Sequence, residues 1–165
     1  MLENILRRAS VRRYEDKEIS QEIIDLLLNA GFSAPCSKNC KPLHFVVLDD
    51  KETLTSLGEN LQFASMLRFA PKAIVVCADK ELSPNCWMLD ASAATENILI
   101  AATELGIGSV WTAVYPYEDR DQVVRKFVNI PENIGILSIV PLGYPAKEVD
   151  IKDKFDAERI HYNKF

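Results

Sequence analysis

The 165-residue sequence lacks most of the features that announce a mechanism. Its longest apolar runs, such as Ala73 to Ala78, are far too short to span a bilayer. The first residues carry charge from Glu3 onward and contain no apolar leader core. There is no surplus of positive charge: 19 Lys and Arg against 24 Asp and Glu give a net charge of -5, which weighs against a nucleic-acid partner. No repeat, low-complexity tract or Gly/Ser linker divides the chain, so residues 1–165 read as one domain. Neither a P-loop nor a G-x-S-x-G elbow is present, and the two histidines, His44 and His161, have no evident triad partner. These absences describe a cytoplasmic chain that uses neither membrane nor nucleic acid and has no catalytic side chain of its own. Its four cysteines, Cys36, Cys40, Cys77 and Cys86, read as reduced, buried small side chains.

What is present alternates between helix and strand. Residues 2–8 suit a short helix. Ser20 is a good N-cap, and Ile23, Ile24, Leu27, Leu28 and Phe32 recur at helical spacing, so a helix is expected over 21–32. Phe45 to Leu48 and Ala73 to Ala78 are apolar runs of strand length, separated by a polar helix around 51–60. A long helix is expected over 85–105, ended by Gly106. Its polar residues are scattered around the axis and many others are small, so it is expected to be buried on several sides, with a subunit interface as one of them. A strand over 107–114, a helix over 119–128 and a strand from Ile136 to Leu142 follow, and residues 146–165 form a charged tail over the surface or onto a partner. The class is mixed α/β or α+β, with a sheet covered on both faces.

Four segments could carry chemistry. In Arg8-Ala9-Ser10-Val11-Arg12, an extended chain puts Arg8, Ser10 and Arg12 on one side, two guanidinium forks and a hydroxyl in line for phosphate or carbonyl oxygens. Composition alone reads the same run as a solvated basic face. Ala34-Pro35-Cys36-Ser37-Lys38-Asn39-Cys40-Lys41-Pro42 is a proline-fixed loop that is either a plain connection or a hydrogen-bonding edge. Zinc on Cys36, Cys40 and His44 is rejected, because the spacing is unusual and no second ligand pair appears. Gly106-Ile107-Gly108-Ser109-Val110-Trp111-Thr112-Ala113 contains G-x-G but follows a helix and opens a strand, the reverse of the dinucleotide fingerprint, and Trp111 is by default a core residue. Lys152 and Lys154 alternate and could share a side, although surface lysines are the simpler reading. A chain with this pattern is expected to borrow its reactivity from a cofactor.

In this order, the four segments resemble the FMN-dependent nitroreductase family. Arg8 to Arg12 resembles its R-x-S-x-R opening, and Ala34 to Leu43 its A-P-S-x-x-N-x-Q-P-W stretch. The long helix with Gly106 to Trp111 resembles its A-A-x-x-x-G-L-G-x-x-W block, while Ile130-Pro131-Glu132 and Leu142-Gly143-Tyr144-Pro145 resemble two shorter markers. The resemblance implies an α+β, nitroreductase-like fold with a central mixed sheet flanked by helices, in an intertwined homodimer with FMN at the interface. It assigns Arg8, Lys152 and Lys154 to the phosphate, and Ser10 and Arg12 to the ribityl chain and pyrimidine edge, with Ala9 beside them. It assigns Pro35, Cys36, Ser37, Asn39 and Lys41 to the partner's side of the ring, and Trp111, Thr112 and Ala113 to the near side. Lys41, Leu43 and Cys36 depart from the common glutamine, aromatic and serine. The implied activity is transfer of electrons from NADH or NADPH through flavin N5 to a nitroaromatic, quinone or similar small-molecule acceptor, by a ping-pong course. Flavin or enone reduction, dehalogenation, or flavin binding without catalysis are the alternatives on the same scaffold.

Overall fold

The computed structural model describes residues 2–148 and 153–165. Among the described residues five helices and five strands form in chain order: α1 (Leu2–Arg7), α2 (Gln21–Phe32), β1 (Leu43–Leu48), α3 (Lys51–Asn60), β2 (Lys72–Asp79), α4 (Trp87–Glu104), β3 (Gly108–Ser109), β4 (Thr112–Ala113), α5 (Glu118–Val128) and β5 (Ile134–Gly143). Short 3-10 turns occupy Ser37–Asn39, Ser65–Phe69 and Ala157–Arg159. The starts of α2 and α3 follow from side-chain caps. Ser20 accepts from the Ile23 N–H at 3.4 Å, and Asp50 accepts from the Thr53 N–H at 2.8 Å. Asn129, in the left-handed region at φ 55°, ends α5.

The sheet runs β1-β2-β5-β3, with β4 also on β5. All strand pairings are antiparallel, and the parallel component is an isolated bridge between Ser10 and Ser109. The single strand expected over 107–114 is broken in two. Both pieces keep one register on β5, Ser109 opposite Leu142 and Thr112 opposite Ile139. That register would set Val110 opposite Pro141. The Leu137 carbonyl accepts from the Val114 N–H on this edge, so the alternation turns residue 141 to the same edge. Proline has no N–H to give there, and the ladder lapses.

Side chains alternate across β2 to build two cores. Ile74, Val76 and Ala78 pack with α2 and α4, while Ala73, Val75 and Cys77 pack among residues of α3 and α5. Both sheet faces are therefore covered, as the continuous apolar runs implied. Leu27 of α2 is fully buried, and truncating it to alanine would cost about 2–5 kcal/mol. Along α4 every residue except Leu89 and Glu104 is buried or half-buried. Two buried hydroxyls join α4 to the sheet, Thr95 Oγ1 and Ser138 Oγ, 3.0 Å apart. Of the cysteines only Cys77 is buried. Cys36, Cys40 and Cys86 are half-buried because they sit on the loop after α2 and at the cap of α4, not within the sheet, and all four thiols are free.

Candidate functional site

Two glycines let the arginine segment lie on the sheet. A Cβ on Gly108 would stand 2.7 Å from Val11 Cγ1, and one on Gly143 would stand 2.6 Å from Tyr14 Cγ. Bare backbone at these positions admits Val11 and Tyr14, so Gly108 serves close approach as well as the helix-to-strand turn. The Val11 N–H donates to the Ser109 carbonyl at 2.9 Å, and the Tyr14 hydroxyl donates to the Val11 carbonyl at 2.8 Å. Burial drives the Tyr14 phenol well above its ordinary pKa. With Val11 and Tyr14 turned in, Ser10 and Arg12 are left exposed and Arg8 half-buried.

Arg8, Ala9, Ser10 and Arg12 line a groove of about 540 Å³, together with Lys147, Glu148 and Lys154 from the tail. Lys154 Nζ donates to the Arg8 carbonyl at 3.4 Å. Arg8 Nε also stands 3.4 Å from Glu96 Oε1 on α4, an orienting partner absent from the sequence reading. Lys152 lies outside the described residues.

A second groove, of about 530 Å³, is lined by Arg12 again with Trp111, Thr112, Ala113, Phe63 and Arg120. Trp111 is half-buried, not a plain core residue: the lapse opposite Pro141 leaves it packed against one core cluster while it borders the groove. Thr112 is only 7% exposed. Its Oγ1 is the sole buried side-chain oxygen or nitrogen without a hydrogen-bond partner among the described residues. An unpaired buried hydroxyl costs about 1–3 kcal/mol. Arg12 thus joins a cationic groove to an apolar one. That arrangement suits a ligand with an anionic tail and a flat, apolar, hydrogen-bonding head.

Pro35, Cys36, Ser37, Asn39 and Lys41 line neither groove. Their loop is held from behind. Asp90 of α4, 5% exposed, accepts from the Ser37 N–H at 2.8 Å and from the Ser83 hydroxyl at 2.7 Å. Lys38, Asn39 and Lys41 take φ of 51°, 53° and 53°, a strained path for lysine in particular. The Lys41 N–H donates to Cys36 Sγ at 3.3 Å.

The chain matches the Nitroreductase family over residues 5–63 and 60–144. It belongs to that family. A protein of Archaeoglobus fulgidus described as a candidate NADH dehydrogenase/NAD(P)H nitroreductase is 48% identical, covering 99% of this chain and 98% of its own length. A crystal structure with the same description from Bacteroides thetaiotaomicron is 50% identical with a TM-score of 0.97, over 99% of this chain and 97% of that one. An FMN-dependent nitroreductase of Clostridium difficile is 33% identical with a TM-score of 0.94, over the whole of both chains. The α+β nitroreductase fold expected of this family member is the one observed. Sequence reasoning missed Asp90, Glu96, Phe63 and Arg120. Asp90 and Glu96 read only as polar residues scattered around the long helix, Arg120 belongs to the helix expected over 119–128 without standing out in it, and no local signal separates them from their neighbours.

Proposed function

We propose that this nitroreductase-family chain is an FMN-dependent NAD(P)H oxidoreductase that folds as one domain and works as a homodimer. The observation that carries the proposal is Arg12, shared by a cation-lined groove and an apolar groove with an unpaired hydroxyl. FMN has the matching parts, a phosphate at one end and a wide flat ring at the other. Arg8 and Lys154 would hold the phosphate, with Ala9 and Ser10 along the ribityl chain. Arg12 would set a cation against the pyrimidine edge, where reduction concentrates negative charge. Trp111, Thr112 and Ala113 would back the ring. The chemistry FMN supplies when bound is acceptance of a hydride at N5 from a reduced nicotinamide and its later delivery, in a separate encounter, to a nitroaromatic, quinone or similar acceptor.

The dimer follows from what the single chain leaves open. Both grooves have open sides, and the 35–41 loop lines neither, so Pro35, Cys36, Ser37, Asn39 and Lys41 are free to cover a ring held by a second copy. The tail also needs cover. Phe155, Tyr162 and Phe165 are 77%, 84% and 107% exposed, far from the burial such side chains ordinarily reach. Among the described residues no helix is long and apolar enough to cross a membrane.

The test is optical. Purified protein supplied with FMN should show the bands of oxidised flavin after gel filtration, at the elution volume of a dimer. Anaerobic NADH or NADPH should bleach them, and a nitroaromatic or quinone should restore them. Retained flavin that neither nucleotide reduces would make the chain a flavin carrier. A colourless protein would end the reading altogether.

A further inference from the structure

The second groove holds more than a flavin ring requires. Gln62, Phe63 and Arg120 line it as well, and of these Arg120 carries charge. From α5, Arg120 Nη1 donates to the Ala113 carbonyl at 2.8 Å, and its guanidinium carbon stands 3.9 Å from the centre of the Tyr117 ring. Both partners are neutral. They fix the guanidinium in place without cancelling its charge. Among the described residues no carboxylate oxygen lies within 4.0 Å of it. The nearest acids in sequence do not serve: Asp121 is taken by Arg125 at 2.6 Å, and Glu118 and Asp119 form no ion pair with Arg120. A half-buried cation, oriented by its backbone contact and left without a counter-ion beside Phe63 and Trp111, is a receptor for an anion on an aromatic body.

We propose that Arg120 selects acceptors that carry a carboxylate on an aromatic ring. The inference rests on the flavin reading above, in which Arg12 serves the cofactor and the ring lies against Trp111, Thr112 and Ala113. The acceptor's ring then stacks over the flavin beside Phe63, and its carboxylate meets the remaining N–H donors of Arg120. Reduced nicotinamides also carry anionic phosphates, so the test has a donor arm.

The full chain loaded with FMN is compared on 4-nitrobenzoate and 4-nitrobenzamide, which match in shape and differ in charge. Dissociation constants come from calorimetry on the oxidised protein, and kcat/KM from turnover with NADH. The wild type should favour the carboxylate about 10-fold or more in both measurements, the worth of a charge-assisted pair. Arg120→Gln, which keeps a donor for the Ala113 carbonyl, should bring both ratios near unity, and Arg120→Lys should retain part of the preference. Equal ratios in wild type and Arg120→Gln would overturn the inference. So would a loss shared equally by the two acceptors, or an effect confined to the rate at which NADH reduces the flavin. If neither nucleotide reduces the flavin in the wild type, the proposed function fails, yet the calorimetric ratio still decides the role of Arg120.

Discussion

The arginine segment, residues 8–14, and the loop over residues 35–41 are both irregular, and each is tied to a regular element by a few contacts. The arginine segment is tied through backbone and apolar packing: Val11 and Tyr14 fill the space over Gly108 and Gly143. Its polar side chains are thereby turned outward into two grooves of the same chain. The 35–41 loop is tied through one buried carboxylate, Asp90, which grips the Ser37 N–H. Its polar groups line neither groove. In the proposed site the first segment supplies the half within its own subunit, and the second is held ready for the ring of a partner. That proposal calls for two copies of the chain, and each half can be loosened separately.

The largest effect should come from Gly143→Ala. The added Cβ meets Tyr14 Cγ at 2.6 Å, the rigid base of an aromatic ring, and such overpacking costs about 3 kcal/mol. Thermal melts should show the loss, and FMN affinity should fall with it because Arg12 rides on the displaced segment. A Gly143→Ala protein that melts and binds as the wild type does would break the comparison on this side. Asp90→Ala strands the Ser37 N–H and the Ser83 hydroxyl, at a cost of about 2 kcal/mol in denaturant titrations. Here the dimer and the ring contacts should suffer, while riboflavin 5′-phosphate still protects the phosphate-binding segment from proteolysis. Protection lost to the same degree in both variants would mean that the two segments are one unit.

Arg12→Ala should leave stability within about 0.5 kcal/mol, since the side chain is exposed. Its flavin should have a lower potential and be reduced more slowly. An unchanged potential would remove Arg12 from the pyrimidine edge. The smallest expected effect lies in the core that both segments rest on. Burial pushes the Cys77 thiol up to about 12 from an ordinary 9.0. The folded state thus favours the neutral thiol. Its contribution is fully present below pH 9 and is lost as pH rises through about 12. Cys77→Ala should flatten that alkaline limb in a stability–pH series, and an unaltered limb would assign it to other groups, Tyr14 first.

Helices and core were legible in the sequence because their causes are local. Ser20 and the spacing of Ile23, Ile24, Leu27 and Leu28 mark α2 from its cap to Phe32. The apolar runs of β2 and β5 have the length and composition of strands buried on both faces. The break between β3 and β4 was not legible, because its cause, Pro141, lies on another strand and acts through the register alone. The grooves were legible in part. Arg8, Ser10 and Arg12 share a side because extended chain alternates. Trp111 read as core because nothing in its own segment reveals the missing ladder. Asp90 and Arg120 escaped notice for the same reason: what distinguishes them is a partner 53 residues away in one case and a missing counter-ion in the other.

In the proposed site Arg8 and Lys154 hold an anionic tail while Arg12 carries the ligand across into the apolar groove. Flavin-free protein titrated with FMN and with riboflavin, followed by quenching of flavin fluorescence, tests it without any turnover. The two ligands share the ring and differ by the phosphate. FMN should bind about 100-fold more tightly, the worth of charge-assisted contacts to the phosphate, with the advantage shrinking as salt is added. Equal affinities at low salt would mean that Arg8 and Lys154 hold no phosphate.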